Sequence, residues 1–242
     1  MTTTTIRLIC LPGFDGTGAL FESLLSELGR GITPIVVRYS TERSFADYVD
    51  SVARALPEQG AVLLAESFSG PIALAVMARY PSRVHRAVLC ATFAESPFRW
   101  LARVARHLPE SLFASTYLQR TAVLRYFCLN GASERIEHAE RVLRSVDRAT
   151  VRRRLSVLAD LDVRPLLAQI AVPILYLRAR QDRIVSCALS EALIEALPHA
   201  TVKDLDGPHL LLQSRPGQCA VAIADFLGVV PSKSIGVVAR SS

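Results

Sequence analysis

The stretch Ala61-Val-Leu-Leu-Ala65-Glu-Ser67-Phe-Ser69-Gly70-Pro-Ile-Ala-Leu-Ala-Val-Met77 decides the fold. It starts with an unbroken apolar run, which is typical of a fully buried strand, and the residues after Gly70 predict a tightly packed helix. Almost no loop separates the two elements. A turn this sharp strains the backbone of its central residue and leaves room only for small neighbours two positions away. We therefore predict a nucleophile elbow that lifts Ser67 above the edge of a sheet.

The small residues around Ser67 are Ala65 and Ser69, where this kind of turn usually has two glycines. Gly70 comes one position later, where the predicted helix has to pass close to the sheet. Five-residue patterns of this kind also occur by chance, and an ordinary strand-to-helix turn is the alternative. The position between a buried strand and an apolar helix favours the elbow.

Strand-like and helix-like segments alternate on both sides of the elbow. Besides the strand before Ser67, the predicted strands are residues 6–11, 33–39, 87–92, 172–177 and 200–205. This alternation predicts a mostly parallel sheet with helices on both faces and with the catalytic loops at the carboxyl ends of the strands. We predict one α/β core formed by residues 1–92 and 161–228, followed by a tail at 229–242.

The alternation stops between residues 93 and 160, where segments rich in Leu, Val and Arg predict helices at 98–108, 112–130 and 136–158. An all-helical insertion at this point would lie over the strand ends as a cap. Trp100, Phe113 and Tyr117 are candidates to line an acyl pocket beneath the cap. Packing between cap helices is the alternative for each of them.

Composition excludes several classes of protein. With 242 residues, half of them apolar, the chain can bury one sizeable core. No segment approaches about 18 consecutive apolar residues, and the N-terminus has no basic region followed by an apolar one. These features predict a soluble, cytoplasmic protein without stable membrane insertion, and the sequence indicates no oligomeric state.

The net charge of +6 comes almost entirely from arginine. Many arginines lie between Arg99 and Arg154, interleaved with acidic residues, which predicts solvated helix faces. No aromatic-rich or recognition-helix pattern accompanies them, so we predict no nucleic-acid partner.

Neither a metal nor a cofactor is predicted. The five cysteines are odd in number and form no Cys-x-x-Cys pair, which indicates buried thiols. The glycine-rich loop 12–18 lacks the Gly-Lys-Ser/Thr ending of a P-loop and the glycine spacing of a dinucleotide site. Such a loop can instead turn a backbone N–H, that of Phe14, towards an oxyanion, because Gly13 gives the backbone the necessary freedom.

A serine nucleophile needs a base within hydrogen-bond reach and a third group that orients the base. His209 follows a predicted strand end in a glycine-containing loop, whereas the other four histidines are predicted on helices or at helix ends. Asp182 follows a buried strand and lies between Ser67 and His209 in chain order. Glu95, after the preceding strand, is the alternative acid.

Two further acids, Asp160 and Asp162, precede their strand. This position predicts that they lie at the opposite edge of the sheet from Ser67.

The chain resembles the α/β-hydrolase superfamily over roughly residues 5–227. The motifs that carry the resemblance are Leu11-Pro-Gly-Phe-Asp-Gly16, Ala65-Glu-Ser-Phe-Ser-Gly70, Asp182 before Ile184-Val185, and Gly207-Pro-His209. The resemblance implies that Ser67 is the nucleophile, His209 the base and Asp182 the orienting acid. It also implies that the N–H groups of Phe14 and Phe68 form the oxyanion hole.

This resemblance implies a serine hydrolase that cleaves a small-molecule carboxylic ester through an acyl-enzyme. The sequences of the loop at residues 11–18 and of the elbow are also similar to the hydrolase-like part of the plant phytyl ester synthases. This similarity makes acyl transfer to an alcohol the first alternative. A non-catalytic ligand-binding protein of the same fold is the second. Peroxidases and C–C bond hydrolases use the same triad and stay open as further alternatives.

Overall fold

The computed structural model describes residues 5–97, 99–105, 107 and 133–230, and the strands in these ranges form one sheet. The strands are β1 (Ile6–Leu11), β2 (Ile32–Val36), β3 (Ala61–Glu66), β4 (Val84–Cys90), β5 (Ile174–Ala179) and β6 (Ala200–Leu205). Their order across the sheet is β2-β1-β3-β4-β5-β6, and every neighbouring pair is parallel. The predicted α/β fold is confirmed.

Helices connect the strands and cover the sheet. Those described are α1 (Glu22–Leu25), α2 (Phe45–Ala55), α3 (Gly70–Arg79), α4 (Arg99–Ala105), α5 (Ser133–Ser145), α6 (Arg148–Ala159), α7 (Cys187–Glu195), α8 (Leu211–Ser214) and α9 (Pro216–Leu227). None of the helices in these ranges combines the length and the apolar character that a membrane span requires.

Local capping explains two of the helix boundaries. Helix α2 begins directly after Ser44, because the Ser44 hydroxyl accepts the Asp47 N–H and the Asp47 carboxylate accepts the Ser44 N–H. The single helix predicted at 136–158 is wrong, since the chain forms α5 and α6 instead. Asp147 begins the second of these helices by accepting the Thr150 N–H at 2.9 Å. The helix predicted at 112–130 lies outside the described residues.

Both faces of the sheet are buried. Successive side chains of a strand point to opposite faces, and on β3 Leu63 and Ala65 pack into one apolar cluster while Val62 and Leu64 pack into the other. A strand buried on both faces requires a continuous apolar run. This requirement explains why β3 was recognisable from the sequence.

The topology places a crevice above β1 and β3. Strand β1 lies between β2 and β3. The chain therefore passes from β1 to β2 on one side of β1, and then from β2 to β3 on the other side. In parallel sheets, ligands bind at such a switch point, outside the carboxyl ends of the strands. The loop after β1, residues 12–18, and the turn after β3, which begins at Ser67, lie on the two sides of this crevice.

The chain between β4 and β5 carries α4, α5 and α6. Backbone bonding between Glu95 and Asp162 brings the end of this segment back beside the carboxyl end of β4. The prediction that Asp160 and Asp162 lie at the opposite edge is therefore wrong. The six-residue 3-10 segment Arg164–Gln169 and the residues after it lead the chain from there to β5. The division at residues 93 and 160 into core and cap stays a prediction.

Candidate active site

Ser67 occupies a sharp turn between β3 and α3. Its φ angle is 49°, a left-handed value that is strained for a residue other than glycine. One 3-10 turn, Ser67–Ser69, follows the strand, and α3 begins at Gly70. Ser67 is partly exposed, while Glu66 and Phe68 on either side are buried. The geometry is that of the predicted elbow.

The neighbouring strand ends hold this strained turn. The Thr92 hydroxyl, just beyond β4, donates to the Ser67 carbonyl at 2.6 Å. The Tyr176 hydroxyl donates to the Thr92 carbonyl at 2.7 Å and accepts the Thr92 N–H at 3.2 Å. A Cβ at Gly70 would overlap the Thr92 side chain, so only glycine allows α3 to pass this close to the sheet. The role of Thr92 and Tyr176 could not be predicted from sequence, because it depends on strand pairing.

Three of the predicted site residues meet at the carboxyl edge of the sheet. Ser67 Oγ lies 2.8 Å from His209 Nε2, and His209 Nδ1 lies 2.8 Å from Asp182 Oδ2. The side chains of His209 and Asp182 are only 4% and 7% exposed, so water competes little for their hydrogen bond. The second Asp182 oxygen, Oδ1, accepts the N–H groups of Ile184 and Val185 at 2.8 Å each. The carboxylate is thus fixed by the loop that follows β5.

The alternative acid, Glu95, has other partners. Its carboxylate pairs with Arg99 at 2.9 Å and with Arg164 at 2.8 Å. Asp182, and not Glu95, therefore contacts the histidine. Among the other histidines, His85 lies in β4 and not on a helix as predicted, and its Nε2 is 2.8 Å from the Gln59 carbonyl oxygen.

The loop after β1 lies against the elbow. The Ser69 hydroxyl donates to the Pro12 carbonyl and bonds to the Tyr39 hydroxyl at 2.9 Å. The rings of Phe14 and Phe68 meet edge to face with their centroids 5.9 Å apart. The Phe14 N–H has no hydrogen-bond partner among the residues described here. An unused donor beside the serine is compatible with an oxyanion hole, and the assignment of Phe14 and Phe68 to that hole stays a prediction.

Arg154 on α6 is 2% exposed, so the prediction of a solvated arginine face is wrong at this position. Its Nη1 donates to the carbonyls of Phe14 at 2.8 Å and Asp15 at 2.6 Å. Its Nη2 donates to the Tyr39 carbonyl at 3.2 Å, and Nε lies 3.4 Å from the Tyr48 hydroxyl. The buried residues Thr150, Arg154 and Leu158 share one face of α6. That four-residue spacing was the available sequence signal.

Glu66, directly before the serine, is a fully buried acid. Its Oε2 accepts a hydrogen bond from Gln213 Nε2 at 3.1 Å, and its Oε1 has no partner within the described part of the chain. Burial raises the pKa of the Glu66 carboxyl to about 8, with Asp15 raising it further and the Gln213 hydrogen bond lowering it. The raised pKa favours the protonated, uncharged form of Glu66 at neutral pH.

The stability of the protein should therefore depend on pH through Glu66. An unperturbed Glu has a pKa near 4.5, so between about pH 4.5 and pH 8 the folded state binds more protons than the unfolded state. The free energy of unfolding should fall as the pH rises through this window, by about 1.4 kcal/mol for each pKa unit and thus on the order of a few kcal/mol in total. Glu66→Gln cannot ionise and should lose this component.

The measurement is the Tm of wild type and Glu66→Gln between pH 5 and pH 9. Titrations common to both proteins cancel in the difference, so the Tm of wild type should fall relative to that of the variant as the pH rises. A difference that is independent of pH would contradict the raised pKa.

The cysteines in the described ranges are free thiols. Burial raises the pKa of the Cys10 and Cys219 thiols to about 12, which keeps them protonated and unreactive. Cys187 is exposed, so the prediction that all five thiols are buried is wrong, and its hydrogen bond to Glu191 raises its pKa. Cys128 lies outside the described residues. Within those residues, no group of three or more His, Cys, Asp and Glu side chains is placed to hold a metal ion.

Of the three predicted pocket residues, Trp100 lies within the described ranges. Trp100 lies on α4 with 77% of its surface exposed to solvent. Phe113 and Tyr117 lie outside the described residues. The acyl pocket stays a prediction at all three positions.

Comparison with curated proteins finds relatives at low identity. The chain is 26% identical over 218 residues to the pimeloyl-(acyl-carrier protein) methyl ester esterase of Aliivibrio salmonicida, which covers 80% of this chain and 81% of that protein. It is 25% identical over 142 residues to 3-oxoadipate enol-lactonase 2 of Acinetobacter baylyi, which covers 57% of this chain. The chain spans only about half of that lactonase, 52% of its length.

Solved structures show the same fold. A hydrolase from Pseudomonas aeruginosa PA01 superposes with a TM-score of 0.80 at 20% identity, over 93% of this chain and 91% of that one. The enol-lactonase from Burkholderia xenovorans LB400 gives a TM-score of 0.74 at 19% identity, over 93% and 92%. The family model described as alpha/beta hydrolase fold matches residues 6–216. The sheet order, the elbow and this match agree, and the chain belongs to the α/β-hydrolase fold family.

Proposed function

We propose that this protein is a serine hydrolase that cleaves a carboxylic ester through an acyl-enzyme intermediate. The observation that carries the proposal is the unbroken hydrogen-bond chain from Ser67 Oγ through His209 to Asp182, with 2.8 Å at each step. A protein that only binds a ligand has no need for a buried carboxylate that orients a histidine towards a strained serine.

In the first half of the reaction, Ser67 Oγ attacks the ester carbonyl carbon while His209 Nε2 takes the hydroxyl proton. Asp182 accepts the His209 Nδ1–H, so the imidazole presents an unprotonated Nε2 to the serine. The same carboxylate stabilises the imidazolium that forms. The carbonyl oxygen becomes an oxyanion, which we assign to the backbone N–H groups of Phe14 and Phe68.

The first half ends when the tetrahedral intermediate collapses: the bond from the acyl carbon to the leaving alcohol breaks, His209 gives the proton to that alcohol, and the acyl-enzyme remains. In the second half, a water molecule gives its proton to His209 and attacks the acyl carbon. The bond to Ser67 Oγ breaks, the serine recovers its proton, and the carboxylic acid leaves. The same base and the same oxyanion hole therefore serve both carbonyl additions, first by Ser67 and then by water.

The substrate class we propose is a small-molecule ester or acyl compound. Two relatives that the chain resembles are named a methyl ester esterase and an enol-lactonase, and a lactone is a cyclic ester. We assign residues 93–160 as the cap over the crevice, with Trp100, Phe113 and Tyr117 as candidate pocket residues. Since identity to both relatives is low, we expect the acyl group to differ from those in their names.

A panel of p-nitrophenyl esters with increasing acyl chain length tests this function, with and without an added alcohol. We expect release of p-nitrophenol and accumulation of the free acid, together with covalent labelling by a fluorophosphonate probe. Peptide mass spectrometry should place the probe on Ser67. A new ester as the main product would make the protein an acyltransferase. Absence of both turnover and labelling would favour a ligand-binding protein.

A further inference from the structure

The loop that carries the Phe14 N–H contains glycines, and both its own hydrogen bonds and contacts from outside hold it. That N–H belongs to the peptide between Gly13 and Phe14, whose orientation decides whether the donor points at a bound carbonyl. Gly13 has no Cβ, so the backbone alone leaves the orientation of this peptide open.

Each peptide around this donor is held at its carbonyl. The Pro12 carbonyl accepts the Ser69 hydroxyl, and the Gly13 carbonyl accepts the Gly16 N–H at 3.1 Å. The next two carbonyls, of Phe14 and Asp15, both accept Arg154 Nη1, at 2.8 and 2.6 Å. The first two contacts come from the elbow and from the loop itself. The other two come from Arg154 on α6, about 140 residues further along the chain.

The guanidinium packs directly on the loop. Gly16 has a φ of 66°, and a Cβ at this position would overlap the Arg154 guanidinium. No carboxylate of the described residues lies within ion-pair distance of Arg154, and carbonyl and hydroxyl oxygens take its place. A buried charge is costly unless its donors are satisfied. Displacing the loop would remove two of these acceptors, so the loop and the guanidinium fix each other.

We propose that Arg154 is a positioning residue of the oxyanion hole, through which α6 holds the Phe14 N–H in its catalytic orientation. The residue touches neither the substrate nor the reacting atoms. It acts on the loop carbonyls, and it makes the packing of α6 on the core a requirement for the reaction. This inference rests on the proposed function.

Arg154→Met tests the proposal, because it keeps much of the side-chain length and removes every donor. We expect kcat for p-nitrophenyl butyrate to fall on the order of a hundredfold, as for loss of one oxyanion donor, with little change in KM. Arg148→Met is the matched control, since Arg148 lies on the same helix and is exposed. It should keep the wild-type kcat.

The readout that separates positioning from mere stability is the rate for each intact active site. The protein is labelled to completion with the fluorophosphonate, and the labelled fraction gives the concentration of active sites. The turnover rate is then divided by that concentration to give kcat per site. We expect Arg154→Met to label to nearly the wild-type extent but to turn over slowly. Its affinity for a trifluoromethyl ketone, which forms an oxyanion adduct with serine, should fall by a similar factor. A role in folding alone would lower the labelled fraction and leave both values per site unchanged.

Two outcomes distinguish this inference from the proposed function. If wild type neither labels on Ser67 nor turns over esters, the function itself is wrong. If wild type is active and Arg154→Met keeps its kcat per site, only the role of Arg154 is wrong. Should Arg154→Met not fold, Arg154→Lys decides by the same criteria. It keeps the charge and the aliphatic stem but loses the planar guanidinium that bonds to both loop carbonyls.

Discussion

Ser67→Ala is expected to lower kcat for p-nitrophenyl butyrate by roughly 10⁵- to 10⁶-fold, the scale on which loss of a nucleophile acts in serine hydrolases. The substitution removes only Oγ, the atom 2.8 Å from His209 Nε2, and leaves the hydrogen bond between His209 and Asp182 in place. Without an attacking oxygen, no acyl-enzyme can form. Binding and the oxyanion donors then provide only the small residual acceleration over water.

The fold should survive this change. Serine and alanine are strained alike at the φ of 49° found here, and the only side-chain partner of Ser67 in the described structure is His209. Steady-state rates should therefore be measured beside the Tm, with Ser145→Ala as a control serine on an exposed helix end. If Ser67→Ala kept the wild-type rate and was still labelled by the probe, another nucleophile would carry the reaction. Ser69, which is buried at the same turn, would be the next candidate.

The elbow and the meeting of Ser67, Asp182 and His209 could be predicted from sequence because their signals are local. A run buried on both faces, a turn without a loop and a small residue on each side of Ser67 all lie within a few positions. Asp182 and His209 each follow a strand, and a parallel sheet brings the ends of its strands to one edge. No long-range information was needed to place these side chains near each other.

Arg154 could not be placed in this way, because its partners are distant in sequence. Arginines on helices are usually solvated, and the four-residue spacing of Thr150, Arg154 and Leu158 does not by itself show what the guanidinium contacts. Its burial arises only when α6 packs against the loop after β1 and the carbonyl of Tyr39. The pairing of Glu66 with Gln213, 147 positions apart, is a second case.

The prediction for the chain after α6 was wrong for a related reason. The sequence shows that Asp160 and Asp162 precede a strand, and a residue just before a parallel strand normally lies at its amino end. The backbone bond between Asp162 and Glu95 holds this segment at the other edge, and a 3-10 segment has to cross the sheet before β5. Connections of irregular structure carry no periodicity from which such a crossing can be predicted.

Asp182→Asn is expected to lower kcat by about 10⁴-fold near neutral pH, through the wrong histidine tautomer. Asp182 Oδ1 accepts two backbone N–H groups, from Ile184 and Val185, so the single oxygen of an asparagine should stay at that position. Its NH₂ group would then face His209 Nδ1, which must become the acceptor. The imidazole proton would move to Nε2, which then donates to Ser67 and can no longer take its proton.

Glu95→Gln is the matched control, because Glu95 is the alternative acid and loses its charge in the same way. Its ion pairs with Arg99 and Arg164 lie near the surface, where such pairs contribute about 0–1 kcal/mol. We expect it to keep the wild-type kcat and tautomer, whereas ¹⁵N chemical shifts of His209 should report the exchanged tautomer in Asp182→Asn. The reverse pattern, with Glu95→Gln inactive and Asp182→Asn active, would transfer the orienting role to Glu95. That result would require a rearrangement of the loop after β4. In the present structure His209 bonds to Asp182, at 2.8 Å, and not to Glu95.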